Sequence, residues 1–115
     1  MEGEMLKGHL DMIVLAALSA SGSAHGYAII EEIKRRSGGA FDLPEGTIYP
    51  ALHRLEQSGL LKSSWTTADN GRRRRVYALT RAGNRALVDQ REVWKQFADA
   101  IAGLLGGTRS RENPA

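Results

Sequence analysis

Leu43-Pro44-Glu45-Gly46-Thr47-Ile48-Tyr49-Pro50-Ala51-Leu52-His53-Arg54-Leu55-Glu56 is the stretch on which the fold turns. Projected at about 100° per residue, Ile48, Ala51, Leu52 and Leu55 share one side of a helix. Gly46, Thr47, Pro50, His53, Arg54 and Gln57 share the other, with Tyr49 on the flank. The first side suits a core. The second presents hydroxyl, imidazole and guanidinium groups and no acid. A proline deep in a helix loses a hydrogen bond and clashes with the preceding turn, at a cost of about 3 kcal/mol. In the first turn the N–H has no partner to lose. Pro50 therefore predicts a helix that starts near residues 45–47. Its free N–H groups and positive dipole end would sit beside Thr47 and Tyr49, a setting that suits a phosphate.

Downstream of Ser58-Gly59 the period changes from about 3.6 to 2. Leu61, Ser63, Trp65 and Thr67 alternate with Lys62, Ser64 and Thr66. Arg74, Val76 and Ala78 interleave with Arg75, Tyr77 and Leu79. Ala68-Asp69-Asn70-Gly71 lies between, and Asn-Gly tolerates the positive φ of a tight turn. This predicts a two-stranded hairpin that must lean on the helices, because a lone hairpin is marginal in water.

Upstream, Leu6, Leu10, Ile13, Val14, Ala17 and Leu18 recur at three and four residues, which predicts a helix over 6–19. Ser19 to Ser23 reads as a flexible end. A second helix is expected over 25–37, with Tyr27, Ile30, Ile33 and Ile29 turned inward and Gly38-Gly39 stopping it. Thr80 is a good N-cap for a last helix over 81–105. Along that helix Leu87, Trp94 and Ile101 occupy one heptad position, and Phe97 and Leu104 the other. The core can bury only one stripe of so long a rod, so this seam is expected to face a second copy of the chain, with Leu6 and Leu10 of the first helix beside it.

The organisation that follows is mostly α with a small β-hairpin. Residues 1–80 read as a winged helix-turn-helix DNA-binding domain, 81–106 as a dimerisation helix and 107–115 as a disordered tail. At 115 residues only a modest core is available. There is no cysteine, which excludes disulfides and thiol chemistry. No cofactor is implied, and His9, His25 and His53 lack metal-ligand spacing, so no metal site and no catalytic residue is expected. His9 reads as a surface or satisfied polar residue. No apolar run spans a bilayer and the N-terminus has no signal-peptide pattern, so a cytoplasmic protein without a membrane partner is the expectation.

The net charge of +3 is unevenly placed. Residues 62–85 hold seven basic groups against one acid, a local +6, and four of them are the run Arg72-Arg73-Arg74-Arg75. Arginines beside an Asn-Gly turn cannot pack inside, and their planar forks bind phosphate oxygens in pairs. Helix, helix, helix, hairpin, helix is the order in which a third helix enters the major groove while the wing follows the backbone or minor groove. Thr47, Tyr49, Pro50 and His53 are then expected at the groove, Arg54 near its edge, and Arg72 to Arg75 on phosphates or the minor groove. His25 and Tyr27 open the second helix and are either phosphate contacts or a cap with core packing. The ring of Tyr49 has an alternative place against the wing.

Four blocks resemble one family. Leu6-Lys7-Gly8-His9-Leu10-Asp11, His25-Gly26-Tyr27, Glu45 to Leu55 and Arg74 to Gly83 look like the PadR family of bacterial transcriptional regulators. Gly46-Thr47-Ile48-Tyr49-Pro50 is the specific block; Thr80-Arg81-Ala82-Gly83 is common to many winged-helix regulators. The resemblance covers roughly residues 6–105. It implies a homodimer that binds double-stranded DNA, usually as a repressor, with the last helix as the dimer interface. The short C-terminal region is similar to the subfamily with a single dimerisation helix. Some members bind small aromatic effectors between subunits, and Trp94 is the residue that would meet one here, against the alternative that it fills the interface. A protein–protein or RNA-binding adaptor on the same fold is the competing reading. It leaves the arginine run or the lack of base-stacking aromatic pairs unexplained.

Overall fold

The computed structural model describes residues 9–106. Helix α1 spans Leu10–Ser21, strand β1 Ser23–His25, helix α2 Gly26–Arg36 and helix α3 Glu45–Gln57. Strands β2, Leu61–Thr67, and β3, Arg73–Leu79, form the hairpin, and helix α4 spans Arg81–Leu104. Strand order in the one antiparallel sheet is β1-β3-β2. The expected hairpin is thus the larger part of a three-stranded sheet. Ser23, Ala24 and His25 pair with Ala78, Tyr77 and Val76. Three residues are too few to show a period of two; Ser23 read as part of a flexible end and His25 as the start of the second helix, and both belong to this strand. Pairing it to β3 covers an edge that would otherwise expose its backbone groups.

The core is built largely from the expected stripes, except that on α1 Leu15 is buried and Ile13 only partly so. Leu10, Val14, Leu15, Ala17 and Leu18 of α1 meet Ile29, Ile30 and Ile33 of α2 and Ile48, Ala51, Leu52 and Leu55 of α3. Leu61 and Tyr77 close it from the sheet. On α2 the buried stripe runs through Gly26, Ile29, Ile30 and Ile33, and it leaves Tyr27 about 100° away and 57% exposed. Tyr27 therefore does not pack inward.

Two expectations about the dimer seam are corrected. Leu87 is 2% exposed and belongs to the core of its own chain. The first two turns of α4 still lie on the domain, and the helix leaves it only beyond that point. Leu10 is likewise buried with the core of its own chain. Trp94, Phe97, Ile101 and Leu104, with Val88 and Val93, stand exposed on the projecting part. Leu6 and the segment 107–115 lie outside the described residues. The start of α4 is fixed by Thr80, whose Oγ1 accepts the Gly83 N–H at 3.0 Å and donates to the Gly59 carbonyl at 2.7 Å. Gly83 is seated on the Leu60 carbonyl, where a Cβ would collide with the oxygen. That seat gives the Thr-Arg-Ala-Gly block its physical sense. The projecting helix makes the molecule 63 Å long against 28 and 24 Å across.

Candidate nucleic-acid interface

Helix α3 begins at Glu45, with the Thr47 and Ile48 N–H groups donating to the Pro44 carbonyl. Pro50 is consequently the sixth helical residue, in the second turn rather than the first. Its missing N–H deprives the Gly46 carbonyl of an intrahelical partner. Gly46 is exposed, so water can serve that oxygen and the break costs less than one in a buried helix. Pro50, His53 and Gln57 are exposed, Thr47 is half-buried, and Ile48, Ala51, Leu52 and Leu55 are buried opposite them.

Arg54 does not stand free at the edge of this face. Its guanidinium donates to Asp11 on α1. The acid comes from 43 residues away, so the α3 sequence itself carries no sign of it. Both partners are half-exposed, and such pairs contribute little to stability. The local charge of Arg54 is nevertheless answered.

The wing closes with a short turn. Ala68 N–H donates to the Arg72 carbonyl at 2.7 Å and Gly71 N–H to the Ala68 carbonyl at 2.9 Å. Gly71 sits at φ 84°, and Asn70 Oδ1 accepts the Arg72 N–H at 3.0 Å. Beyond the turn the arginines separate by the strand period. Trp65 is paired directly opposite Arg75, and Thr66 opposite Arg74. Arg73 and Arg75 therefore share the sheet face of Trp65 and Tyr77, while Arg74 projects from the other.

The four guanidiniums have different surroundings. Arg75 Nη2 lies 3.5 Å from Glu56 Oε2, at the end of α3, and the same oxygen accepts from Ser63 Oγ at 2.6 Å. Arg73 lies over the Trp65 ring at 4.7 Å, with Arg75 at 5.4 Å. Arg74 Nη1 approaches His25 Nε2 at 3.1 Å. Among the described residues, Arg72, Arg73 and Arg74 have no carboxylate at ion-pair distance.

His25 ends β1 and caps α2. Its Nδ1 accepts the Ala28 N–H at 3.4 Å. The groups at both ring nitrogens are donors, whereas a neutral imidazole has one acceptor nitrogen. The Arg74 contact is therefore loose, and that guanidinium can be drawn away by a better acceptor. Burial, and then the Arg74 charge, hold the His25 pKa below its ordinary value. Capping is thus one role of His25, and it stands at the wing as well. Burial pushes the Tyr77 phenol up, with Arg75 acting in the opposite sense, so it stays neutral.

These residues line one cleft. Its volume is about 520 Å³, and its walls are His25, Tyr27, Tyr49, Trp65, Arg73–Arg75 and Tyr77. The Tyr49 ring lies against Gly26, whose missing Cβ leaves the room for it. So Tyr49 packs on the start of α2 and also faces the wing. Tyr49 of α3, the N-terminus of α2 and the wing therefore open onto one cleft. Sequence reasoning placed most of these residues but assigned no role to Trp65 or Glu56.

A second concavity, about 470 Å³, lies between α1 and α4 and is lined by His9, Met12, Asp89, Gln90, Val93, Trp94 and Phe97. The His9 and Trp94 rings meet edge to face at 5.3 Å, and Trp94 and Phe97 at 5.6 Å. Trp94 is 43% exposed. Among the described residues no three acidic or histidine side chains cluster as a metal site would require, and no helix is long and apolar enough to cross a membrane.

Comparison with known proteins adds to this geometry. The family model described as the transcriptional regulator PadR-like family matches residues 14–89. Transcriptional regulator Rv3488 of Mycobacterium tuberculosis is 39% identical over 85 residues, covering 74% of this chain and 76% of that protein. A crystal structure of a PadR family transcriptional regulator from Eggerthella lenta is 31% identical, covers 89% of this chain and 86% of its own, and superposes with a TM-score of 0.75. A transcriptional regulator from Clostridium thermocellum is 28% identical with a TM-score of 0.77, covering 88% of this chain and 97% of its own.

Proposed function

The chain belongs to the PadR-like family of transcriptional regulators, and from that premise we propose that it is a homodimeric repressor of an inverted-repeat operator. The observation that carries this reading is the cleft that Tyr49 of α3 shares with the α2 N-terminus and the arginine wing. In this reading residues 1–80 are the DNA-binding unit. Thr47, Tyr49, Pro50 and His53 meet base edges and sugars in the major groove. Tyr27, His25 and Arg72 to Arg74 meet phosphates, which fix register without reading sequence. Arg54 and Arg75 hold α3 against α1 and the wing.

Residues 81–106 are the dimerisation helix, and its interface is Trp94, Phe97, Ile101 and Leu104 with Val93. These apolar side chains form a continuous exposed stripe, a liability in a monomer and an asset in a pair. Leu10 and Leu87 support it from within the domain. Dimerisation is typical of the family, and a two-fold pair presents two α3 helices to half-sites about one helical turn, near 10 base pairs, apart.

The concavity at Trp94 favours one addition, a small flat aromatic effector held beside that indole. Its lining is mostly apolar and aromatic with Asp89 and Gln90 as polar groups, the usual make-up of a small-molecule site. An effector that binds one dimer geometry better than another would change the spacing of the two α3 helices.

Footprinting on the promoter of the chain's own gene tests the main reading. Two symmetric protected half-sites are expected. A single asymmetric site at stoichiometric dimer, or displacement by single-stranded RNA as readily as by duplex, would favour the adaptor reading instead.

A further inference from the structure

Trp65 is out of place for a residue with only a packing role. It lies on the sheet face of Leu61, Ser63 and Tyr77, yet it is 53% exposed. What covers it is cationic. Arg73 lies over its ring at 4.7 Å and Arg75 at 5.4 Å. Arg75 is also drawn to Glu56 at 3.5 Å. Arg73 has no such partner among the described residues, so the indole is the contact that orders it. A guanidinium over an aromatic face is held by the ring quadrupole while its N–H edges remain free to donate.

We propose that Trp65 is a positioning residue of the wing, a shelf that holds the Arg73 guanidinium extended for a DNA phosphate. This rests on the DNA-binding reading above. An unrestrained arginine loses its rotamer freedom when it binds, whereas a pre-ordered one loses less and binds more tightly. The network Ser63–Glu56–Arg75 holds the second guanidinium beside the same indole. It ties the base of the wing to the end of α3, so the charge of Arg73 is delivered at a set distance from the helix in the groove.

A double-mutant cycle tests this, with a labelled duplex of about three helical turns at low salt, where phosphate contacts dominate. Trp65→Ala and Trp65→Leu are each expected to weaken binding about two- to five-fold, the range of an exposed cation–π contact, and Trp65→Phe to recover most of the loss. Arg73→Ala should cost less in either background than in the wild type, by the same factor. Additive losses would overturn the proposal. Trp65→Leu keeps apolar bulk and removes the π face, so the cycle survives if Trp65→Ala does not fold. A readout without DNA separates this from the reading it rests on. The chain has two tryptophans, so in Trp94→Phe the emission comes from Trp65 alone. Removing Arg73 should shift it. Unchanged emission would overturn the shelf whether or not duplex is bound. A wild-type chain that binds no duplex at low salt, with the shift present, would instead overturn the DNA reading.

Discussion

The unequal surroundings of the wing arginines make a quantitative prediction. Arg72, Arg73 and Arg74 have no acid at ion-pair distance among the described residues, while Arg75 is paired with Glu56. Each phosphate contact contributes about −0.9 to the slope of log affinity against log salt. Three free arginines on each of two wings give about six contacts and a wing share of about −5. Between 50 and 200 mM salt that amounts to roughly a thousandfold loss of affinity. Arg73→Ala removes two contacts per dimer, so the slope should fall by about 1.8, and the variant should lose about twelvefold less affinity over the same range. Arg75→Ala combined with Glu56→Gln removes the pair without changing the net charge, and it should move the slope by less than about 0.5. Glu56→Gln alone frees Arg75 and should steepen it. Fluorescence anisotropy with a labelled duplex at four or more salt concentrations measures all of these. If deleting the neutral pair flattens the slope as much as Arg73→Ala does, the division of the wing into anchor and contact is wrong.

Three further outcomes are expected. Gly83→Ala gains helix propensity of about 1 kcal/mol, but it drives a Cβ into the Leu60 carbonyl and strains three hydrogen bonds around Thr80. The net loss should be about 2 kcal/mol, seen as a melting temperature lower by about 10 °C; an unchanged melting curve would contradict the seat described for α4. The His25 pKa is lowered from 6.5 on folding, so the unfolded chain takes up the proton more readily. Stability should therefore be full above that value and decline as pH falls from it towards the folded-state value, and His25→Asn, which keeps a capping side chain, should abolish the decline in melts run from pH 5 to 8. Trp94→Ala removes two indoles per dimer. It should raise the dimer dissociation constant at least about tenfold in sedimentation and weaken duplex binding with it, whereas a variant that stays dimeric and loses only an effector response would assign the indole to the cleft.

What was legible in the sequence is what repeats. Ile48, Ala51, Leu52 and Leu55 announce the buried face of α3 by their spacing, and the hairpin is announced by Asn70-Gly71 between two alternating runs. The rest depends on partners distant along the chain. Tyr27 is apolar enough to read as core, and only the register of Gly26, Ile29 and Ile33 turns it outward. Strand β1 is three residues long and exists because β3 offers it an edge. Leu87 holds the same heptad position as Trp94, but Leu87 is buried in the core and Trp94 is 43% exposed, and no local pattern marks where a helix leaves its core. Pro50 implied a helix starting near residues 45–47, and it starts at Glu45; Pro50 itself falls in the second turn, where the exposure of Gly46 makes the resulting gap tolerable.

The arrangement of acids gives the proposed interface a division of work. Arg54 is on the outer side of α3, and Arg75 is the wing arginine nearest its end; each is met by an acid, Asp11 and Glu56. What remains on the exposed face of α3 offers hydrogen-bonding groups and no guanidinium: a hydroxyl at Thr47, a phenol at Tyr49 and an imidazole at His53. Free positive charge is displaced to the wing tip. Bare arginines on α3 would attract any duplex with the reading helix itself and would hold it at wrong sequences. In the proposed reading, placing them on the wing lets the backbone attraction act through one element while another reads base edges. Substitutions at Thr47 or His53 should then change which duplex is preferred with little change in salt slope, and substitutions at Arg72 to Arg74 should do the reverse. A Thr47→Ala variant that lost affinity equally for all duplexes, with a flatter slope, would place α3 on the phosphates and remove the distinction.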